Sequence, residues 1–167
     1  PYMQPLYDNL HREYNLSHFY FFDMQRVCRL RLHKPEKHGD RIDRFTLLEA
    51  ERTNTIASGL EIGPLGLVTL RVVQPVYRVG QLVGYVELGK EIEDVLDDRH
   101  RQSRSHLAVI LRKELVERIE WEKSMRSLGR EADWNRLEQG VINYTTFGPH
   151  LPEGFMPLAK NRLGERA

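Results

Sequence analysis

Residues 26–33 read Arg-Val-Cys-Arg-Leu-Arg-Leu-His, and the alternation along them predicts a β-strand. The apolar row is Cys28, Leu30 and Leu32, and the cationic row is Arg29, Arg31 and His33. Because successive side chains of a strand point to opposite faces of its sheet, this strand should present one apolar and one cationic face. The aromatic run at residues 18–22, followed by a turn at residues 23–25, predicts the partner strand of a β-hairpin.

Helical segments are predicted on both sides of the hairpin. Apolar residues at positions 3, 7, 10 and 14 have the spacing of a helix that ends near residue 15. Residues 34–40 form a loop by their Pro, Gly and Asp content, and a short helix should follow it. We expect Asp40 or Asp43 to cap that helix. Its inward-facing residues should be Phe45, Leu48 and Ala50.

The rest of the chain alternates between extended and helical patterns. Three strands are predicted at residues 56–62, 67–77 and 81–88, and a short connection makes the last two antiparallel. Further segments are a helix at residues 90–104, a strand at 106–111, a helix at 114–128 that Gly129 ends, and a strand at 141–144. This order predicts an α+β fold, in which helices flank an antiparallel sheet.

Length, charge and cysteine content exclude several classes of protein. A chain of 167 residues with 40% apolar content fits one well-packed domain with a short appendage. The 25 basic and 24 acidic residues are interspersed, which argues against nucleic-acid binding. The single Cys28 cannot form an internal disulfide. No apolar run approaches the roughly 18 residues that span a bilayer, so any membrane anchor should lie outside this sequence.

Several segments together resemble a known family. Residues 31–37 read Arg-Leu-His-Lys-Pro-Glu-Lys, and Gly39-Asp40 and Arg44 follow them. This run resembles the arginine-x-histidine-x-proline and glycine-aspartate signature of the double-Cache sensors of bacterial histidine kinases, chemoreceptors and diguanylate cyclases. The glycine-containing strands at residues 59–63, 70–76 and 84–89 are similar to those that follow in that family. The likeness is closest over residues 16–89 and continues more loosely to residue 146.

The resemblance implies a PAS-like Cache fold with a long amino-terminal helix, of which residues 1–15 are the end. Residues 16–113 would form the sensor core, and residues 114–167 a carboxy-terminal helix with a partial second lobe or tail. One sheet face would pack on the long helix, and the other would line a ligand pocket closed by loops and the short helix. The protein would then be the periplasmic or extracytoplasmic sensing part of a membrane-anchored bacterial receptor.

The resemblance thus implies that the cationic face of the hairpin strand would line the pocket. Arginine offers a planar fork of donors that matches a carboxylate, so a small organic anion, a carboxylate or an amino acid, is the predicted ligand. Either Glu61 or Glu87 would contact a ligand ammonium group or neutralise an arginine. The predicted ligand-binding residues are Arg29, Arg31, His33, Asp40, Arg44, Glu61, Arg71, Tyr85 and Glu87.

Other interpretations of these residues stay open. The cationic row would also fit a solvated outer sheet face, and Asp40 and Arg44 a helix cap with a local ion pair. The chain could instead be a ligand-free dimerisation or interaction module, and a homodimer is compatible with either function. An enzyme is less favoured, because no nucleophile sits in a catalytic constellation. We predict no catalytic residues, no cofactor and no metal site, since His33 and His38 lack the helical spacing of a zinc motif.

Overall fold

A computed structural model describes residues 2–63, 66–148 and 150–164 and divides the chain into two units. The amino-terminal unit comprises residues 1–61 and 69–94, and the carboxy-terminal unit comprises residues 62–68 and 95–167. Among the described residues no helix is both long and apolar enough to cross a bilayer.

The amino-terminal unit is built around a five-stranded sheet with the strand order β2-β1-β5-β4-β3. Its elements are α1 (Gln4–Tyr14), β1 (His18–Phe22), β2 (Cys28–Arg31), α2 (Phe45–Thr53), β3 (Ala57–Ile62), β4 (Val68–Arg78) and β5 (Gln81–Glu91). The hairpin of β1 and β2 and the antiparallel pair of β4 and β5 both form as predicted. The predicted α+β fold class is confirmed.

A β-bulge interrupts the alternation in the hairpin. Phe21 pairs with Leu30, but Phe22 pairs with Cys28, so Arg29 is an extra residue without a partner across the strands. Cys28 therefore shares a face with Phe22 and not with Leu30. The prediction that Cys28, Leu30 and Leu32 form one apolar row was wrong. One inserted residue moves every side chain beyond it to the opposite face of the sheet.

The two faces of the sheet bury different clusters. One face, the α1 face, packs Phe19 and Leu32 with Tyr7 of α1. The other, the α2 face, contains the cluster around Leu47 of α2. Its remaining buried members are Tyr20, Phe22, Cys28, Ala50, Ala57, Val73 and Tyr85.

Helix α2 buries Ala50 as predicted, but it does not bury Phe45 or Leu48. Phe45 is 67% and Leu48 is 38% exposed, whereas Thr46, Leu47 and Ala50 are buried. Neither Asp40 nor Asp43 caps the helix, since the N-cap position belongs to Arg44 and has no side-chain cap. The Oε1 atom of Glu61 on β3 instead accepts hydrogen bonds from the Thr46 backbone N–H and hydroxyl, at 2.8 and 2.7 Å. A side chain distant in sequence thus satisfies the first turn of α2.

Gly84 lets β5 approach the end of β1. It has a φ of +148°, and a Cβ atom at this position would lie 2.1 Å from the carbonyl oxygen of Phe22. Only glycine fits a backbone conformation and an approach of this kind.

The carboxy-terminal unit contains most of α3 (Ile92–Ser103) and a two-stranded sheet of β6 (Ala108–Arg112) and β7 (Gly140–Thr145). A 3₁₀ turn (Lys113–Leu115) precedes α4 (Arg118–Ser127), and α5 (Phe155–Leu163) follows β7. Helix α4 starts later than predicted, so Leu115 lies before it. Leu115 and Ile119 are exposed, while Trp121 and Met125 are buried. Helix α5 was not predicted, because a proline interrupts its sequence, yet proline is tolerated in a first helical turn.

Candidate functional site

Four charged side chains meet on the α2 face of the sheet, and we call them the charge cluster. They are Arg44, which precedes α2, and Glu61, Arg71 and Glu87, which lie on β3, β4 and β5. Two arginines and two glutamates make the cluster formally neutral. Buried charges are stable only when they are paired in this way.

Glu87 is the centre of the charge cluster. Its side chain is fully buried, with 0% exposed. One oxygen, Oε1, accepts a hydrogen bond from Arg71 Nη1 at 2.6 Å. Both carboxylate oxygens accept from Arg44 Nη2, at 2.7 and 2.8 Å. Glu87 therefore neutralises two arginines, one of the two roles that the sequence left open for it.

Glu61 leaves hydrogen-bonding capacity in the charge cluster unused. Its Oε2 atom lies 3.3 Å from Arg71 Nε and 3.5 Å from Arg44 Nε. None of these three buried atoms makes an aligned hydrogen bond to any described residue. Two N–H donors and one carboxylate oxygen are thus held close together without hydrogen bonds, which is costly for buried polar groups.

Tyr20 joins the charge cluster to a second ion pair. The guanidinium carbons of Arg44 and Arg31 lie 4.9 and 5.2 Å from the centre of its ring, within the range of cation–π attraction. Arg31 Nη2 donates to Asp40 at 2.6 Å, and Arg31 also donates to the Lys37 carbonyl in the loop before α2. The arginine anchors this loop to the sheet, and its hydrogen bond lowers the pKa of Asp40.

Two histidines lie beside Tyr20. The ring of His33 lies 4.9 Å from that of Tyr20 and 4.7 Å from that of His18. Burial, followed by the nearby Arg71, lowers the pKa of His18 to about 3. Burial, followed by Arg31, lowers the pKa of His33 to about 4. Both imidazoles are neutral at physiological pH, so neither adds positive charge beside the arginines.

The structure brings most of the predicted residues together but separates two of them. Arg29 is exposed at the bulge, where its Nη2 atom lies 2.6 Å from Asp23. Tyr85 lies in the apolar cluster of the α2 face rather than among the charges. His18 was missed, although its position two residues before Tyr20 on β1 places both on one face.

The family described as the double sensory domain of two-component sensor kinases matches residues 2–146. A comparison with curated protein sequences found no match. Among solved structures, a domain of a sensory box/GGDEF family protein from Vibrio parahaemolyticus is 17% identical, with a TM-score of 0.52. That match covers 66% of this chain and 50% of the other, and it concerns the fold alone.

Two further solved structures are similar at lower TM-scores. The sensor domain of E. coli DcuS is 22% identical, with a TM-score of 0.48, and the match covers 59% of this chain and 72% of that one. The ligand-binding domain of the Campylobacter jejuni chemoreceptor Tlp3, in complex with 4-methylisoleucine, is 16% identical, with a TM-score of 0.47. There the match covers 67% of this chain and 46% of the other, so this chain spans about half the length of the Vibrio and Campylobacter domains.

Proposed function

Because this chain belongs to the family of double-Cache sensory domains of two-component sensor kinases, we propose that it detects a small organic anion at the charge cluster. The parent protein would be a bacterial transmembrane receptor, and this sensory domain its extracytoplasmic part. Residues 16–113 remain our proposed limits for the sensor core, with residues 114–167 as a partial second lobe or tail. The domain would bind its ligand without chemical turnover.

The unused donors of the charge cluster are the observation that carries this proposal. Arg44 Nε and Arg71 Nε are buried and lack hydrogen bonds to the described residues, while the Nη atoms of the same arginines hold Glu87. A carboxylate presents two oxygens that can accept from two such donors at once. An incoming anion that moved Glu61 Oε2 away from these two donors would therefore gain charge-assisted hydrogen bonds without displacing Glu87.

The position of Glu61 bears on the class of anion. Its Oε2 atom lies within 3.5 Å of both Nε atoms and has no aligned hydrogen bond among the described residues. A ligand that carries an ammonium group beside its carboxylate would pair with this oxygen as well as with the arginines. Amino acids thus fit the charge cluster more fully than simple carboxylates do.

The same sheet offers a route from the ligand to α1. On β1, Tyr20 contacts Arg31 and Arg44, while its neighbours Phe19 and Phe21 belong to the cluster that includes Tyr7 of α1. A shift of β1 on ligand binding would change the packing of α1, and α1 would relay it toward the membrane. The size of this response is limited by the difference in ligand affinity between the two states.

Calorimetric titration with small carboxylates, amino acids and amines tests the proposal. The Arg44→Lys variant keeps the charge but loses Nε and the planar fork, so it should bind any carboxylate or amino acid that the wild type binds about tenfold more weakly or worse. The Glu61→Gln variant keeps an Oε1 acceptor for Thr46 but loses the negative charge, so it should weaken amino acids selectively.

Matched controls lie on α2. Arg52→Lys and Glu49→Gln make the same changes in an ion pair that is remote from the charge cluster, and both should bind as the wild type does. Equal affinities in all four variants would overturn the assignment of the site. If none of the compounds binds the wild-type protein, a ligand-free interaction module becomes the better interpretation, with the charge cluster as a structural element only.

A further inference from the structure

The carboxy-terminal unit contains a cavity that the proposed function does not use. Its volume is about 360 Å³, and its walls come from the segment after α4, from β7 and from the loop after β7. Ligand pockets usually measure about 300–1,000 Å³, so this one suits a small molecule.

Asn143 is one of the residues that line this cavity, and its side chain carries a buried donor. The residue is 1% exposed, and its Oδ1 atom accepts a hydrogen bond from Trp121 Nε1 at 3.1 Å. An indole N–H can only donate, so this bond fixes which end of the carboxamide faces the tryptophan. The Nδ2 atom is the other end, and it has no acceptor among the described residues. This NH₂ group carries two N–H donors, and an acceptor oxygen would satisfy one of them.

The charged residues around the cavity balance one another. Arg136 pairs with Glu131 at 2.6 Å and with Asp133 at 3.4 Å. The guanidinium carbon of Arg130 lies 4.9 Å from the centre of the Tyr144 ring. Two cations and two anions among the lining residues favour a ligand without net charge.

Apolar residues supply another part of the wall. Ile142 and Leu151 both line the cavity and are both partly buried. A ligand should therefore combine one polar end with a short hydrocarbon body.

We propose that this cavity is a second binding site, for a small uncharged molecule whose carbonyl oxygen accepts a hydrogen bond from Asn143 Nδ2. A short aliphatic amide has this chemistry, since it joins a carbonyl group to an apolar chain and carries no charge. The site differs from the charge cluster in its unit, in its polar group and in the charge of its ligand. Its occupancy is independent of whether an anion binds elsewhere.

Titration of the isotope-labelled full chain with butyramide, followed by backbone amide resonances, tests this second site. The wild-type protein should show saturable shifts at residues 142–145. In Asn143→Asp the carboxylate still accepts from Trp121 but no longer donates, so butyramide should bind at least about tenfold more weakly. Unchanged indole fluorescence in this variant would verify that Trp121 keeps its environment.

Three further variants and a second ligand test whether butyramide binds in this cavity. Asn161→Asp makes the same change at an exposed position on α5 and should leave butyramide binding unaltered. Leu151→Trp should fill the cavity and abolish binding without touching Asn143. Arg44→Lys, which tests the charge cluster, should not affect butyramide at all. Butyrate in place of butyramide should bind more weakly, because the lining has no net positive charge.

The proposal fails if butyramide shifts no resonance at residues 142–145, if Asn143→Asp binds it as tightly as the wild type, or if butyrate binds more tightly. None of these results would bear on anion binding at the charge cluster, which depends on Arg44 and Glu61. Conversely, failure of every anion to bind would leave the butyramide experiment intact.

Discussion

Replacing Glu87 by glutamine should destabilise the protein strongly, because the side chain keeps its size but loses the charge that two arginines share. Removing one partner of a buried ion pair costs about 3–5 kcal/mol. We expect about 3 kcal/mol, the lower end, because the Arg44 side chain remains 24% exposed and glutamine retains one acceptor oxygen. For a chain of this length, that loss lowers the Tm by about 6–12 °C.

Thermal and denaturant unfolding followed by circular dichroism would measure the loss, with Glu122→Gln as the matched control. Glu122 also accepts from two arginines, Arg118 and Arg126, but this group lies at the surface of α4, where exposed pairs contribute little. The control should therefore unfold almost as the wild type does.

A double variant identifies the cause of the destabilisation. Adding Arg71→Met to Glu87→Gln leaves Arg44 opposite Glu61, so the charge cluster becomes neutral again. The double variant should be more stable than Glu87→Gln alone, with a coupling energy above about 1 kcal/mol. If the two single losses simply add, charge balance is not what Glu87 provides, and our account of the charge cluster is wrong.

Two other substitutions test the neutral ring of His33 and the close approach of β5 to β1 at Gly84. The unfolded chain takes up protons below about pH 6.5 that neutral His33, with its pKa of about 4, does not accept in the fold. The stability that this histidine contributes is therefore complete above pH 6.5 and falls as the pH is lowered toward 4. The His33→Gln variant should flatten this part of a curve of Tm against pH. An unchanged slope would contradict the buried neutral ring. Gly84→Ala should destabilise by about 3 kcal/mol or more, since its Cβ would overlap the Phe22 carbonyl, whereas Gly80→Ala, with open space around it, should lose only about 1–2 kcal/mol in urea unfolding.

The sequence predicted where most strands and helices lie, but it did not predict reliably which side chains each of them buries. Alternation and turn residues located the hairpin and the β4–β5 pair, because both signals are local. The bulge at Arg29 was invisible, since an inserted residue shows only in the register with β1. Burial of Phe45 and Leu48 on α2 was wrongly predicted for a similar reason. Its first turn is satisfied by Glu61 from β3, a contact that no local pattern records.

The candidate site was predicted better as a set of residues than as an arrangement. Six of the predicted positions lie in the charge cluster or in the ion pair beside Tyr20. They are Arg31, Asp40, Arg44, Glu61, Arg71 and Glu87. A sequence shows which charges are present, but pairing between strands determines which of them neutralise one another. That is why the role of Glu87 could only be stated as two alternatives.

Glu61 connects the proposed ligand site to a helix as well as to the sheet. Its Oε2 atom faces the unused Nε donors of Arg44 and Arg71, while its Oε1 atom holds the first turn of α2 through Thr46. A carboxylate that occupied both Nε donors would repel this side chain, and a ligand ammonium group would attract it. Simple carboxylates and amino acids would therefore bias α2 in opposite directions, even if both bound with the same affinity. A receptor built on this charge cluster would discriminate among anions by the response they produce as well as by how tightly they bind.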